Sequence, residues 1–306
     1  MAKVLVATEK PFAKAAVEQI KTLVEEAGFE FALLEKYTDK GQLLEAVKDA
    51  TALIVRSDKV TREVLDAAKE LKIVVRAGAG YDNLDLAACT EKGVVAMNTP
   101  GQNSNAVAEL ALGMMVFMAR NRFNGTSGTE LRGKTLGIHA YGNVGYYVAK
   151  IAMGFGMDVY AFDPFVPKEK IEADGVKVVD SVEELYSTCR YVSLHIPANE
   201  HTKKSINKEL AGKMPANAVL VNTARKEVID EESLLELMAE RSDFTYISDI
   251  APDSEAFVKD YADRVFFTPK KMGAQTAEAN INAGVAAAKQ IIAFINDGDE
   301  TFRVNK

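Results

Sequence analysis

Short β-branched runs alternate with longer amphipathic stretches along the whole chain. The strand-like runs are residues 4–6, 52–55, 73–75 and 94–96, then 135–138, 158–161, 176–179, 191–194, 218–221, 244–247 and 265–267. Most are nearly continuous apolar segments, as parallel strands covered on both faces require. Helical periodicity runs through residues 12–26, 105–120, 231–240 and 277–295. Alternating β and α patterns predict an α/β fold with parallel sheets. After the helix at 105–120 comes a polar, Gly-rich stretch, residues 121–128, and a second strand series begins near Lys134. Two doubly wound sheets joined by a long helix are the simplest arrangement.

Composition narrows the class. A chain of 306 residues can bury two cores. With 48% hydrophobic and 26% charged residues it has the make-up of a soluble globular protein. The net charge of −7 and the lack of a basic run argue against nucleic acid as a partner. Cys89 and Cys189 form no CxxC pair, which predicts a reducing compartment and no metal site. The start MAKVLVATEKPFAK has no long apolar region, so no signal peptide is expected. The apolar run at 106–119 is too short to cross a membrane and carries Glu109. A cytoplasmic protein without membrane contact is the expectation.

The candidate chemistry begins at Ala140-Tyr141-Gly142-Asn143-Val144-Gly145. This is a G-x-G-x-x-G dinucleotide loop with alanine for its first glycine. The loop follows a strand and opens a helix, so it can present backbone N–H groups to a pyrophosphate. Asp163 ends the next strand, 23 residues after Ala140, near the offset of about 20 residues expected of a ribose-binding acid. Its carboxylate can accept both adenosine ribose hydroxyls and would repel a 2′-phosphate, which favours NAD over NADP. The alternative is a plain strand-to-helix turn with a capping acid. Alanine at 140 is tolerable where φ is negative, so the change is read as neutral.

Four further segments carry a family resemblance: Arg76-Ala77-Gly78-Ala79-Gly80-Tyr81-Asp82-Asn83-Leu84-Asp85, Met97-Asn98-Thr99-Pro100, Glu130-Leu131-Arg132-Gly133-Lys134-Thr135-Leu136-Gly137 and Val221-Asn222-Thr223-Ala224-Arg225. Over nearly its whole length the chain resembles the D-2-hydroxyacid dehydrogenases, most of all their short phosphoglycerate-oxidising members. The resemblance implies a flavodoxin-like substrate domain at 1–98 and 276–306, a Rossmann NAD-binding domain at 99–275, an active site in the cleft between them, and a homodimer. It places the cofactor on Tyr141, Gly142, Asn143, Val144, Gly145, Asp163, His195, Pro197, Thr202, Thr223, Ala224 and Asp249. His195 falls on the adenine side, and Asp249 at the nicotinamide amide. Substrate contacts are expected from Arg56, Ser57, Arg76, Ala77, Gly78, Ala79, Gly80 and Asn98. The glycine loop at 77–80 can offer backbone N–H groups to a carboxylate.

Oxidising a 2-hydroxy acid needs a carboxylate clamp, a base for the hydroxyl proton and a nicotinamide to take the hydride. Arg225, just past a strand end, suits the clamp. The family's histidine base is absent from Thr268-Pro269-Lys270-Lys271-Met272-Gly273-Ala274. Counting back from Gly273-Ala274 puts Lys271 in its place, and counting forward from Pro269 gives Lys270. Lys271 is preferred, because the helix start fixes position better than the loop. The histidine's glutamate partner is also replaced, by Ser254, although Asp253 and Glu255 flank it. An anion there would raise a lysine pKa, whereas burial and Arg225 would lower it toward neutrality. If both lysines are merely solvated, the chain is a non-enzymatic NAD-binding or interaction protein.

Arg56 and Arg76 end strands of the first domain and can hold a phosphate bidentately, unless Asp58 or Asp82 engages them. This makes NAD-dependent oxidation of D-3-phosphoglycerate, the entry step of serine synthesis, the expected activity. Hydroxypyruvate or glyoxylate reduction is the alternative. The serine-sensing domain of longer relatives is not expected after residue 306.

Overall fold

A computed structural model of the chain describes residues 1–305. It divides into two compact units, Met1–Asn103 with Gln275–Lys306, and Ser104–Ala274. The break thus falls after Asn103, where a long helix begins, rather than after residue 98.

The first unit is built on five parallel strands: β1 (Lys3–Thr8), β2 (Glu30–Glu35), β3 (Ala52–Val55), β4 (Ile73–Arg76) and β5 (Val95–Asn98). Their order is β2-β1-β3-β4-β5, the flavodoxin-like winding. Strands β3 and β5 are buried throughout: β3 is apolar from end to end, and β5 is apolar up to Asn98 at its carboxyl end. Strand β2 was not expected from the pattern. It is a half-exposed edge strand whose four apolar residues, Phe31 to Leu34, lie between Glu30 and Glu35 and are nowhere fully buried. The chain reverses direction across the sheet between β1 and β3, and the loops after these two strands lie side by side. The helix Ala277–Asp297 closes this unit against the helix Lys14–Glu26.

The second unit carries seven parallel strands: β6 (Thr135–His139), β7 (Asp158–Phe162), β8 (Lys177–Val178), β9 (Tyr191–Leu194), β10 (Val219–Asn222), β11 (Thr245–Ser248) and β12 (Val265–Phe267). The order is β12-β11-β10-β9-β6-β7-β8, a Rossmann sheet extended by one strand. Its switch point lies between β6 and β9. The helix Ser104–Ala119 is apolar on almost every side and packs on the helix Asn143–Gly154 over one sheet face. Among the described residues no helix is long and apolar enough to cross a membrane.

Candidate active site

The glycine loop sits at the end of β6, at the switch point, where α/β ligands bind. Gly142 is the N-cap of the helix Asn143–Gly154, and no side chain caps it. The first-turn N–H groups therefore stay available to an anion. A Cβ on Gly142 would meet nothing within 4 Å, which leaves room above the loop. A Cβ on Gly145 would sit 2.4 Å from the Ala140 carbonyl oxygen, so helix and strand can approach this closely only without a side chain there. Ala140 has φ +80°. The expectation of a negative φ is therefore corrected: alanine occupies a left-handed position that favours glycine, at a cost of about 1 kcal/mol.

Asp163 ties the loop together. Its Oδ2 accepts from the Tyr141 amide at 2.7 Å, and its Oδ1 from the amides of Phe165 and Val166 at 2.8 and 3.2 Å. Three of about four acceptor positions are used, leaving capacity for a ribose hydroxyl. The Tyr141 amide is taken by Asp163, its ring is buried and its hydroxyl donates to Asp174 at 3.1 Å. Across the switch point the His195 amide donates to the His139 carbonyl at 2.9 Å. Burial pushes His195 down to about 3 and His139 down to about 4. His195 Nδ1 lies 3.4 Å from Thr223 Oγ1, while its shielded Nε2 has no partner. Thr202 donates to the Pro197 carbonyl at 2.5 Å and so braces its own loop. An uncapped helix start, open space over Gly142, a ribose-side acid and an orphaned ring nitrogen at the switch point together fit a dinucleotide.

At the end of β10 the Asn222 side chain shapes the next turn. Its Oδ1 accepts from the Ala224 amide at 2.9 Å and its Nδ2 donates to the Arg225 carbonyl at 3.0 Å. Sequence reasoning gave Asn222 no role, although an Asn at a strand end is a turn signal. The Ala224 carbonyl then accepts from Arg225 Nη1 at 3.2 Å and from Lys271 Nζ at 2.9 Å. The Lys271 side chain is exposed overall, yet its ammonium rests against protein. Burial first, and the Arg225 charge second, lower its pKa to about 8, against opposing pulls from Asp249 and Glu227. Lys270 is exposed and contributes only its carbonyl, to Thr268.

The segment carrying Lys271 is held by Asp249, buried to 1% exposure. One oxygen accepts from Thr268 Oγ1 at 2.9 Å and the Met272 amide at 2.7 Å, the other from the Gly273 amide at 2.7 Å. Asp249 thus holds the Thr268 hydroxyl before the lysine and the Met272 and Gly273 amides after it, a role the sequence did not reveal. Asp253 does not replace the missing glutamate. It pairs with Lys226 at 2.5 Å, while its own amide and that of Ser254 are held by Glu231, each at 2.9 Å. Glu255 is exposed at a helix start and bonds no lysine among the described residues.

In the first unit, Arg56 follows β3 at that sheet's switch point. Its Nη1 donates to the carbonyls of Lys10 and Pro11 at 3.1 and 3.0 Å, and its Nη2 to Asn280 Oδ1 at 2.5 Å. Arg76 Nε reaches the Arg56 carbonyl at 3.1 Å, and the Arg76 guanidinium lies over Gly78. With φ +144° and an added Cβ 1.7 Å from Arg76 Nη1, position 78 admits only glycine. The loop at 77–80 offers fewer donors than expected. Ala77 N donates to Val55 O at 2.9 Å and Gly78 N to Thr99 Oγ1 at 2.6 Å, which leaves the amides of Ala79 and Gly80. Asn98 braces the loop through the Ala79 carbonyl at 2.6 Å, and Ser57 is exposed beside Arg56.

Fold and site define an α/β protein with a dinucleotide-binding Rossmann unit and a second, flavodoxin-like unit. Residues 101–269 match the NAD-binding domain model of the D-isomer specific 2-hydroxyacid dehydrogenases. The D-3-phosphoglycerate dehydrogenase of Methanocaldococcus jannaschii is 40% identical over 270 residues, 82% of this chain and 51% of that protein. The hydroxypyruvate reductase of Thermotoga maritima is 36% identical over 281 residues, 86% of this chain and 90% of that one. The chain spans about half the length of several of the curated relatives it matches. Among solved structures, the NAD+-bound 3-phosphoglycerate dehydrogenase of Entamoeba histolytica is 48% identical, with a TM-score of 0.86 over 100% of this chain and 99% of that one. The chain belongs to the D-isomer specific 2-hydroxyacid dehydrogenase family.

Proposed function

We propose that the protein is an NAD-dependent D-3-phosphoglycerate dehydrogenase, interconverting D-3-phosphoglycerate and 3-phosphohydroxypyruvate at the start of serine synthesis. The observation that carries this reading is the convergence of Arg225 and Lys271 on the Ala224 carbonyl. It puts an anion clamp and a proton-exchanging amine together in a chain whose relatives include several proteins of that name.

Bound NAD supplies the hydride acceptor, held by the loop at 141–145, Asp163 and the segments around His195, Pro197, Thr202, Thr223 and Ala224. Arg225 binds the substrate carboxylate and the C2 oxygen, and stabilises negative charge on that oxygen as its proton leaves. Lys271, as the neutral amine, takes that proton, and as the ammonium returns it in the reductive direction. Asp249 keeps the lysine in place. Arg56 and Arg76 hold the phosphate, with Ser57, Asn98 and the amides of Ala79 and Gly80 beside them. The protein works as a cytoplasmic homodimer.

A second reading has support of its own. The Thermotoga maritima relative, matched over 90% of its length, is named a hydroxypyruvate reductase. NADH oxidation with phosphohydroxypyruvate, hydroxypyruvate and glyoxylate separates the two. Preference for the phosphorylated compound supports the dehydrogenase, and preference for either unphosphorylated one overturns it. NADH binding without turnover on any of the three makes the chain a binding protein.

A further inference from the structure

Arg56 is gripped on several sides without being neutralised. Its guanidinium donates to two backbone carbonyls and one side-chain amide, and stacks over Phe12 at 5.2 Å from the ring centroid. Among the described residues every acceptor that touches it is uncharged. The one carboxylate acting on it from nearby is Asp58, whose oxygens are taken by Tyr37 Oη and the Glu9 amide, both at 2.7 Å, and by the backbone amide of Arg56 at 3.3 Å. A guanidinium held by neutral dipoles keeps its full charge for a ligand, whereas one paired with a carboxylate does not.

Asn280 is the side chain that makes this arrangement work. It lies in the first turn of the helix Ala277–Asp297. Its Nδ2 donates to the Thr276 carbonyl at 2.7 Å, which fixes the amide's orientation and leaves Oδ1 facing Arg56. An aspartate at 280 would have the same shape and would close an ion pair. Arg56 also stands beyond the carboxyl ends of β1 and β3, at the switch point where an open sheet binds its ligands.

We propose that Asn280 is a positioning residue for anion recognition: it aims the Arg56 guanidinium without discharging it, and so sets the preference for a phosphorylated substrate over its unphosphorylated counterpart. This rests on the phosphoglycerate reading of the site.

The test compares wild type, Asn280→Asp and Asn280→Gln. Each is assayed with phosphohydroxypyruvate and hydroxypyruvate, and titrated with inorganic phosphate by thermal shift. In Asn280→Asp the ratio of kcat/KM for the phosphorylated over the unphosphorylated substrate should fall about tenfold, carried by KM. Protection by inorganic phosphate should weaken in parallel. Asn280→Gln, which keeps a neutral acceptor, should retain most of both. A purely structural role would change both substrates equally and leave the ratio in place, and that result overturns the proposal. If wild type shows no preference for the phosphorylated compound, the functional reading fails. The phosphate titration then decides the inference alone: protection lost only in Asn280→Asp supports it, and equal protection in both proteins refutes it.

Discussion

Arg225 and Lys271 share one acceptor: Nη1 of the first lies 3.2 Å and Nζ of the second 2.9 Å from the Ala224 carbonyl oxygen. Burial, and then the Arg225 charge at the same oxygen, favour loss of a proton from the ammonium, the stronger acid of the two cations, and lower Lys271 to about 8. Oxidation needs the neutral amine. Its kcat/KM should therefore rise with pH through about 8 and level off above it. Reduction needs the ammonium and should fall over the same range. Lys271→Ala should lose about 10²–10⁴-fold in both directions, while Lys270→Ala stays within about twofold of wild type. Arg225→Gln removes the repelling charge, so any remaining inflection should move to higher pH. A pH profile unchanged in Lys271→Ala would eliminate lysine as the proton carrier.

Asp249 gives a second expectation. Replacing it by alanine strands the amides of Met272 and Gly273 and leaves the Thr268 hydroxyl only the Lys270 carbonyl, at a cost of about 2–4 kcal/mol. For a unit of this size the melting midpoint should drop by roughly 5–10 °C. Thr268→Val removes one donor and should cost about 1 kcal/mol. If Asp249 serves by gripping the lysine segment, kcat in Asp249→Asn should fall at saturating NADH. A defect confined to the KM for NADH would assign it to the cofactor alone.

The parallel strands were legible because buried strands are written as unbroken apolar runs, such as residues 52–55 and the run 218–221 that leads to Asn222. Strand β2 was not, because an edge strand with glutamates at its ends satisfies no burial pattern. The glycine loop after β6 and the acid that closes it were legible from spacing, since Gly142, Gly145 and Asp163 are placed by local turn and strand geometry. The φ of Ala140 was hidden, because the residue that would advertise it, glycine, is the one replaced. The grip of Asp249 on Met272 and Gly273, and of Asn280 on Arg56, joins residues far apart in sequence. No local pattern encodes such contacts.

Ala140 leads to a stability prediction. At φ +80° its Cβ is strained, and glycine relieves that strain while giving back part of the gain as chain entropy in the unfolded state. Ala140→Gly should stabilise the second unit by about 0.5–1 kcal/mol and leave NADH affinity equal or better. Gly145→Ala should do the reverse, because its Cβ meets the Ala140 carbonyl oxygen at 2.4 Å. Thermal melts with and without NADH measure both. A lower midpoint for Ala140→Gly would show that the surrounding packing needs the methyl group.

The two histidines at the switch point predict the acid limit of the fold. His139 is held at about 4 and His195 at about 3, in both cases chiefly by burial. In the unfolded chain both titrate near 6.5. Below that value the unfolded state takes up protons that the folded state refuses, so stability is complete above pH 6.5 and declines as pH falls toward 4. Each ring contributes at most about 1.4 kcal/mol per pH unit. Between pH 7 and 5 the two together should remove roughly 2–4 kcal/mol. Urea unfolding across this range measures the slope. In a His139→Gln, His195→Gln double variant the slope should flatten by up to two protons. If it keeps the wild-type slope, the acid sensitivity comes from the carboxylates and not from these rings.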